Sequence, residues 1–344
     1  MRGFAMLDIG KTGWIEKPDL AIKNPTDVLI KTTAVAHCTS DVHNVETGDF
    51  PSMIGNIIGH EAVGVIAEVG SEVKDFKVGD RVAIHDMSPY WGDYMTQKGM
   101  PNWSFGSSRT QNPELDGMFS EYILFERADT GLAHIPDNVT DIQALMATDM
   151  IPTAYTGINK LDIQFGETVA IIGIGPVGLC AIEGCILKGA AKVITVGHRT
   201  ACKDVAKKMG ASVVLDYADG PIVEQVLAAN GGKQVDKVLL CVDYPEAISD
   251  AYQMCRFGGT ICTVAGFQDA SRFAGFLSLD KTLTGIVIQT GRYWLEGIMA
   301  MISEGRIHPE LVVSHVYNGF DSIPEAFGRM CDKTDDLIKT VSVW

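Results

Sequence analysis

The pattern of apolar and polar residues changes character about 150 residues into the chain. Before that point, short runs alternate β-branched residues with polar ones between Gly and Asp turns, as in 27–34 (DVLIKTTA), 62–69 (AVGVIAEV) and 79–84 (GDRVAI). Alternation with a period of two over runs of this length is typical of half-buried strands. This part of the chain is therefore predicted to form a compact antiparallel or barrel-like β domain.

From about residue 153 the apolar runs are separated by stretches with helical periodicity, one of which is predicted to form a helix over 247–256. The predicted strands are 168–172, 192–196, 212–215, 237–241 and 260–264. Buried strands that alternate with helices are typical of a parallel, doubly wound sheet.

The C-terminal part of the chain breaks this alternation. After about residue 291 come a helix and the strand-like SHVY at 314–317, which we expect to return to the first domain. The predicted domains are therefore 1–152 with 290–344, and 153–289. Two domains also suit a length of 344 residues, which is more than one hydrophobic core usually organises.

Composition and charge narrow the range of functions. Hydrophobic residues make up 46% of the chain, as in folded proteins, and the formal net charge is −15 with a pI of about 4.9. Such a surface repels nucleic acid and anionic membranes, so neither is an expected partner. The sequence shows neither an apolar run of about 18 residues nor a signal peptide, so we expect a cytoplasmic protein that acts on small molecules.

The eight cysteines show no CxxC spacing. In a reducing compartment, scattered cysteines are usually small buried hydrophobic residues. We expect this of every cysteine except Cys38, namely of Cys180, Cys185, Cys202, Cys241, Cys255, Cys262 and Cys331.

A glycine-rich segment, GIGPVG at 173–178, directly follows the predicted strand 168–172 and opens a helix. In that context the motif predicts a dinucleotide site, because the glycines allow a tight turn and a close approach of the pyrophosphate to the backbone. The start of the helix presents free N–H groups to the phosphates. The residues expected to contact the cofactor here are Gly173, Gly175, Pro176, Val177 and Gly178.

The end of the next predicted strand bears on the choice of cofactor. NAD sites normally have Asp or Glu there, about 20 residues after the first glycine, to bind the ribose 2′-hydroxyl. This chain instead has VGHR at 196–199, with no carboxylate to repel a 2′-phosphate and with a guanidinium to bind it. We therefore expect NADP(H) to be preferred over NAD(H). The alternative is that Arg199 is a solvated charge at the start of a helix.

Three segments far apart in sequence contain residues that commonly bind metals. Cys38, His60 and Asp149 lie in the motifs HCTSDVH, GHEA and TDM. A thiolate, an imidazole and a carboxylate give zinc three protein ligands and leave a fourth position for substrate or water, as in catalytic zinc sites. Together these residues predict a metal ion that acts on a substrate oxygen.

The chain resembles the zinc-dependent medium-chain alcohol dehydrogenases, in particular the microbial NADP-dependent secondary alcohol dehydrogenases that form tetramers. The similarity runs from MRGFAMLDIG to DDLIKTVSV and includes CTSD, GHEAVG, EVGSEVKDFKVGDRV, TDM, IGIGPVG and VGHR. The resemblance implies an α/β fold, with a GroES-like, β-rich catalytic domain and a Rossmann domain of doubly wound parallel sheet. It also implies an active site in the cleft between the domains, and a homotetramer.

The resemblance further implies roles for individual residues. The expected zinc ligands are Cys38, His60 and Asp149, with Glu61 as an additional or alternate ligand. The expected proton relay consists of Ser40 and His43. The positions expected to hold the 2′-phosphate and the adenine are Gly197, Arg199 and Tyr217.

The chemistry of the residues supports the relay and the zinc site. Ser40 lies two residues after the metal thiolate, so its hydroxyl could reach the substrate oxygen. His43 could then pass the proton to solvent through a cofactor hydroxyl. Asp41 could hold the far nitrogen of His60. The alternative is that Asp41 is a helix cap and His43 a surface histidine.

The chain departs from the family pattern in three places. Cysteines are missing between 86 and 118, where many relatives hold a structural zinc, so one catalytic zinc per chain is expected. His198 replaces the usual serine; it can still donate to a phosphate, but dual cofactor use is left open. Polar residues occupy the expected pocket stretches 84–87 (IHDM) and 107–110 (SSRT). They suit either a substrate with several hydroxyls or a solvent-facing loop.

The sequence thus predicts a zinc enzyme that interconverts a secondary alcohol, diol or polyol and its ketone by hydride transfer with NADP(H). One alternative is a zinc-free quinone or enone reductase on the same scaffold, which would leave the three metal-binding residues without a joint purpose. The others are an NAD-dependent polyol or diol dehydrogenase, and a nucleotide-sensing protein that keeps the fold without the chemistry.

Overall fold

The computed structural model of the chain describes residues 1–104, 108–109, 112, 114–266 and 280–344. These residues form two compact units. The first consists of Met1–Pro152, Ile288–Lys333 and Lys339–Trp344, and the second of Thr153–Val287 and Thr334–Ile338. Across the described part of the chain, every helix is too short or too polar to cross a membrane.

The first unit is built on β-strands. Numbered along the whole chain, they are β1 (Arg2–Asp8), β2 (Lys11–Glu16), β3 (Val28–Ala36), β4 (Ala62–Val69), β5 (Arg81–Ile84), β6 (Tyr122–Phe125), β7 (Leu132–His134), β14 (Val313–Asn318) and β15 (Lys339–Val343). β1 and β2 form a hairpin, and the others form a seven-stranded sheet in the order β14-β15-β3-β4-β5-β7, with β6 paired to β3. Apart from the parallel pair β14 and β15, neighbouring strands are antiparallel, which confirms the predicted class of this domain.

Short helices flank this sheet. They are α1 (Thr39–Thr47), α2 (Tyr94–Gln97), α3 (Ala128–Gly131), α4 (Asp141–Met146), α10 (Arg292–Ser303) and α11 (Ile323–Cys331), while α5 (Met150–Leu161) begins in the first unit and continues in the second. A capping box starts α4, because Thr140 and Gln143 each accept a hydrogen bond from the other's backbone N–H. The chain then reaches Asp149 directly before α5.

The second unit is a parallel sheet with helices between its strands. The strands are β8 (Thr168–Ile172), β9 (Lys192–Val196), β10 (Val213–Leu215), β11 (Val235–Leu240), β12 (Cys255–Thr263) and β13 (Thr282–Gly285). The helices are α6 (Pro176–Leu187), α7 (Thr200–Lys208), α8 (Ile222–Ala229) and α9 (Ala247–Met254). The strand order β10-β9-β8-β11-β12-β13 confirms the predicted Rossmann domain. It reverses between β8 and β11, and at such a reversal ligands bind beyond the carboxyl ends of the strands.

The boundary between α9 and β12 differs from the sequence prediction. The helix ends at Met254 instead of residue 256, and the strand begins at Cys255. Cys255 pairs with Val235 of β11, and the ladder then skips to Thr260 opposite Lys237. Pairing with a neighbouring strand therefore overrides the helical periodicity of this segment.

The expectation that seven cysteines are buried is wrong for Cys331, which is exposed, and Cys241 is only partly buried. Cys331 is the last residue of α11, and its Sγ lies 3.7 Å from the carbonyl oxygen of Phe327 one turn earlier. This cysteine therefore lies at an exposed helix end and not in the core.

Candidate active site

The register of the first sheet brings the predicted metal-binding segments together. β3 ends at Ala36 and β4 begins at Ala62, and the antiparallel pairing sets Val35 opposite Ala62. The backbone N–H of Ala36 donates to the carbonyl of Glu61 at 3.2 Å. The residues that follow β3 and those that precede β4 therefore lie side by side, although they are far apart in sequence.

Four side chains converge at this end of the sheet, those of Cys38, His60, Glu61 and Asp149, with ligand atoms all within 4.8 Å of one another. Cys38 Sγ lies 3.8 Å from Asp149 Oδ2, and His60 Nε2 lies 3.4 Å from the same oxygen. In a tetrahedral zinc site with bonds of about 2.0 to 2.3 Å, ligand atoms are roughly 3.3 to 3.8 Å apart. The spacing of these atoms therefore fits a zinc ion.

The second ring nitrogen of His60 is held by Asp41. His60 Nδ1 lies 3.2 Å from its hydrogen-bond partner Asp41 Oδ1, and both side chains are almost buried. A carboxylate accepts hydrogen bonds, so Nδ1 donates to Asp41 and Nε2 is the nitrogen that faces the cluster. Burial alone would lower the pKa of His60, but the carboxylates of Asp41 and Asp149 raise it well above its ordinary value, so these surroundings favour a positive charge at Nε2, which a bound cation would supply in place of the proton. Asp41 thus takes the predicted place beside His60, and the residue at the cap of α1 is Cys38.

Glu61 is held by Lys339, which the sequence motifs did not predict. Lys339 Nζ lies 2.5 Å from Glu61 Oε1, and the two side chains are 1% and 0% exposed. β15 begins at Lys339 and pairs with β3 near Ala36, which carries the ammonium group to the cluster. Burial alone would lower the pKa of Lys339, but the Glu61 carboxylate raises it well above its usual range, so the pair is ionic. The sequence feature that could have indicated this ion pair is a single lysine at the start of a buried strand.

The other oxygen of Glu61 supports the fit to a cation. Among the described residues, Glu61 Oε2 is buried without a hydrogen-bond partner. Buried polar atoms normally have a partner, so an orphaned carboxylate oxygen beside a thiolate and an imidazole suits a metal site.

The two residues of the expected proton relay, Ser40 and His43, lie in α1, which starts directly after Cys38. They are three positions apart, so they share a face of the helix, and both are exposed. His43 Nε2 lies 3.1 Å from Asp49 Oδ2, and the histidine side chain is 60% exposed. The relay residues are thus at the solvent side of the segment that supplies the thiolate.

The polar residues expected to line a substrate pocket mostly bind one another. Asp86 accepts hydrogen bonds from Ser108 Oγ at 2.6 Å and from the backbone N–H of Arg109 at 3.0 Å. The buried guanidinium of Arg109 donates to two backbone carbonyls. These three side chains therefore stabilise the segment. Ser107 and Thr110 lie outside the described residues.

His85, from the same stretch, is fully buried. Its Nδ1 lies 3.1 Å from the backbone N–H of Met87 and 2.9 Å from Thr290 Oγ1. A backbone N–H only donates, so Nδ1 is the acceptor and Nε2 carries the proton of the neutral ring. Burial lowers the pKa of His85, which keeps the ring neutral.

In the second unit, the glycine motif has the geometry that a dinucleotide needs. Gly173 has a φ of +93°, and a Cβ on Gly178 would lie 1.9 Å from the Gly173 carbonyl oxygen. Both positions therefore require glycine. A Cβ on Gly175 would meet only Arg199 Nη2, at 3.9 Å, so this turn leaves open space where a pyrophosphate can approach. The first turn of α6 contains the other two expected residues, Pro176 and Val177.

The residues expected at the adenosine end of the cofactor lie beyond the carboxyl ends of β9 and β10. A cavity of about 440 Å³ is lined by Gly173, Gly197 and Tyr217, among others. Arg199 donates through Nη1 to the carbonyl of Leu337, and its Nη2 extends over the glycine motif. The cavity therefore lies beside the glycine turn, where the sequence predicts the adenosine end of the cofactor.

His198 is held by Asp216, which the sequence did not predict. His198 Nδ1 lies 2.8 Å from Asp216 Oδ1, and the imidazole packs against Tyr217 with 5.1 Å between ring centroids. The other oxygen of Asp216 accepts from Lys203 Nζ at 2.5 Å. An acidic residue before Tyr217 was visible in the sequence, but its partner depends on the pairing of β9 with β10.

Two family descriptions match the chain. Residues 24–137 match "Alcohol dehydrogenase GroES-like domain", and residues 176–304 match "Zinc-binding dehydrogenase". Similar proteins include the "NADP-dependent isopropanol dehydrogenase" of Thermoanaerobacter brockii, 40% identical over 100% of this chain and 99% of that protein. The protein of the same name from Clostridium beijerinckii is 40% identical over 100% of both.

The solved structures similar to this chain include alcohol dehydrogenase TADH from Thermus sp. ATN1. The two superpose with a TM-score of 0.88 at 24% identity, over 100% of this chain and 99% of that one. At that identity the likeness establishes the fold.

Proposed function

Because the chain belongs to the zinc-dependent alcohol dehydrogenases, we propose that it interconverts a secondary alcohol and its ketone by hydride transfer with NADP(H). The observation that carries this proposal is the convergence of Cys38, His60 and Asp149 at the spacing of a tetrahedral zinc site. A zinc-free quinone or enone reductase would have no use for these three side chains in one place.

Cys38, His60 and Asp149 would hold the zinc ion, with Glu61 as an additional or alternate ligand. When bound, zinc supplies Lewis acidity toward the oxygen of the alcohol or ketone. Asp41 keeps the imidazole of His60 in the orientation and tautomer that leave Nε2 for the metal. The ammonium group behind Glu61 offsets part of the negative charge of the ligand set.

Ser40 and His43 carry the proton between the substrate oxygen and solvent in this proposal. Ser40 lies two residues beyond the thiolate, and His43 follows on the same face of α1. His43 is 60% exposed, so a proton that reaches its ring can leave to water.

The cofactor binds the second unit in this proposal. The residues assigned to it are Gly173, Gly175, Pro176, Val177, Gly178, Gly197, His198, Arg199 and Tyr217. The preference for NADP(H) is supported by the names of the two relatives and by the position of the Arg199 guanidinium over the glycine motif. A guanidinium binds a phosphate through paired, charge-assisted hydrogen bonds.

The substrate in this proposal is a small secondary alcohol such as isopropanol, for which the two relatives are named. An NAD-dependent polyol or diol dehydrogenase needs polar side chains that bind a second hydroxyl. Asp86, Ser108 and Arg109 are engaged with one another and with backbone carbonyls, so they favour the simpler alcohol.

We also assign 1–152 with 290–344 to the catalytic domain and 153–289 to the Rossmann domain, in a homotetramer located in the cytoplasm. The tetramer rests on the resemblance to tetrameric enzymes. All eight cysteines are free, which suits a reducing compartment.

Metal content and turnover, measured on the same preparation, test the function. We expect one zinc ion per chain by mass spectrometry, and NADPH oxidation that depends on short ketones such as acetone. Hydroxyketones and quinones are the matched comparison substrates. Full activity in carefully handled zinc-free protein, or turnover of quinones in place of ketones, would contradict the proposal.

A further inference from the structure

His198 and Asp216 make a contact that binding of a cofactor phosphate does not by itself require. β9 and β10 are parallel, with Val196 opposite Leu215, so the residues just beyond them lie side by side. His198 Nδ1 is 2.8 Å from Asp216 Oδ1, and the two side chains are 50% and 13% exposed. The contact therefore holds the ring while its other edge remains accessible.

This contact decides which ring nitrogen of His198 keeps its proton. The Lys203 ammonium, the backbone N–H of Ala218 and His198 itself hold the pKa of Asp216 well below its usual range, so the carboxyl is an anion. An anionic carboxylate only accepts, so Nδ1 donates to it. In the neutral ring Nε2 then presents a lone pair, and it becomes a donor only when the ring takes up a second proton.

We propose that Asp216 makes His198 a proton-dependent ligand of the 2′-phosphate, which binds the phosphate when Nε2 is protonated and loses that contact when it is not. The inference rests on the proposed use of NADP(H). A charged N–H donor makes a short, strong bond to phosphate, whereas a lone pair repels the same oxygen. The preference for NADP(H) over NAD(H) therefore declines as the pH rises and the ring loses its second proton.

Several other charged groups surround His198. They lie at the start of α7, beyond β10 and in the segment 334–338, and are Arg199, Lys203, Asp216, Asp219 and Asp335. The guanidinium of an arginine is not deprotonated in proteins. Arg199 thus supplies a pH-independent attraction for the phosphate, and His198 supplies the part that depends on pH.

Binding of two cofactor fragments tests this without turnover. The probes are adenosine 2′,5′-bisphosphate and 5′-AMP, titrated by calorimetry into the zinc-loaded, full-length protein at pH 6 and pH 8. The affinity ratio of bisphosphate to AMP should fall by about tenfold between these pH values, relative to the same ratio in His198→Ser. The serine variant corrects for the second ionisation of the phosphate itself, which lies near pH 6.

Asp216→Ala tests the positioning role. Without the carboxylate that holds the proton on Nδ1, the neutral ring can carry its proton on Nε2 and still donate to the phosphate. The pH dependence should then fall to that of His198→Ser, although the histidine is retained. A merely structural defect would weaken both fragments and leave the pH dependence of the ratio as in the wild type, which would overturn the role of Asp216.

Two further outcomes separate this inference from the proposed function. Equal pH dependence in the wild type and His198→Ser, with bisphosphate still preferred, overturns the inference and leaves the use of NADP(H) intact. Equal binding of bisphosphate and AMP at both pH values overturns both.

Discussion

The metal cluster and the adenosine end of the cofactor site use similar groups in opposite surroundings. At the cluster, Glu61, Lys339 and Cys38 are 0%, 1% and 8% exposed. At the adenosine end, the side chain of His198 is 50% exposed and Tyr217 is 59% exposed. Each place combines a carboxylate, an imidazole and a cation, but the second is far more exposed to water.

This contrast in exposure indicates how strongly a substitution of each charged group should affect stability and activity. Charges interact more strongly in a buried site than beside water and salt, which screen them. A buried charge that loses its partner also keeps the full cost of desolvation. We therefore expect large effects from substitutions at the cluster and graded ones at the adenosine end.

The largest effect is expected from Cys38→Ser. Without the thiolate the protein should lose its zinc, and kcat should fall by about a thousandfold because several kcal/mol of Lewis-acid stabilisation are lost. Metal analysis and ketone-dependent NADPH oxidation measure the two effects. Cys331→Ser, at the exposed end of α11, is the matched control and should change neither. A metal-free Cys38→Ser protein with full activity would refute the assignment.

Lys339→Met tests the buried pair directly. Removing one partner of a buried ion pair should lower the free energy of unfolding by about 3–5 kcal/mol, because Glu61 is left uncompensated. Urea unfolding measures the loss, and Glu61→Leu combined with Lys339→Met should recover most of it. In the exposed pair of Lys207 and Asp204, Lys207→Met should cost less than about 1 kcal/mol. Equal losses at Lys339 and Lys207 would remove the contrast between buried and exposed charges.

His43 belongs to the same unit as the cluster, but its side chain is 60% exposed. His43→Ala therefore tests whether an exposed residue of this unit still has a large effect on activity. As a proton carrier it should contribute about a hundredfold to kcat, the low end for general acid–base groups. The variant should retain its zinc and show a flatter pH–rate profile. An unchanged profile would mean that His43 is a surface histidine.

His37, the residue before Cys38, should make the free energy of unfolding depend on pH. Its Nε2 lies 3.2 Å from Ser342 Oγ, and burial together with Lys339 lowers the pKa of His37 to about 3. In the unfolded chain this histidine takes up a proton below about pH 6.5, whereas in the folded chain it stays neutral until about pH 3. The contribution of His37 to stability is therefore fully present above about pH 6.5 and is lost as the pH falls toward 3. At pH 5 the loss should be about 2 kcal/mol relative to neutral pH. Urea unfolding at pH 7 and pH 5 should show a smaller difference in His37→Asn; an equal difference would assign the slope to other groups.

The smallest effect is expected from Arg199→Gln at the adenosine end. Losing one partly exposed, charged hydrogen bond should raise KM for NADPH by about tenfold and leave KM for NADH nearly unchanged. Steady-state kinetics with both cofactors measure this. Lys208→Gln, farther along α7, is the control. If both cofactors respond alike, Arg199 does not bind the 2′-phosphate.

Much of the fold could be predicted from the sequence. β4, β8 and β9 have the predicted bounds, because buried strands in this chain are continuous or alternating apolar runs between clear turns. The family and the fold class predicted from the motifs are also confirmed. The start of β12 was missed because its first residue pairs with β11 across a bulge, which no local pattern reveals.

The candidate site was predicted in part. Cys38, His60, Glu61 and Asp149 were named from their motifs, and the structure brings them together; their binding of zinc stays a prediction. For Asp86 the sequence suggested a contact with substrate or solvent, whereas its partners are Ser108 and Arg109. A polar residue at a pocket position does not reveal whether another protein group already satisfies it.

Local sequence is enough to predict the strand and helix pattern, the glycine turn that only glycine can form, and the types of side chain that can bind a metal. The partner of each charged group depends instead on the tertiary structure, as for Lys339 with Glu61 and Asp216 with His198. The reason is strand register, since a slip of one residue turns every side chain of a strand to the opposite face and would separate both pairs.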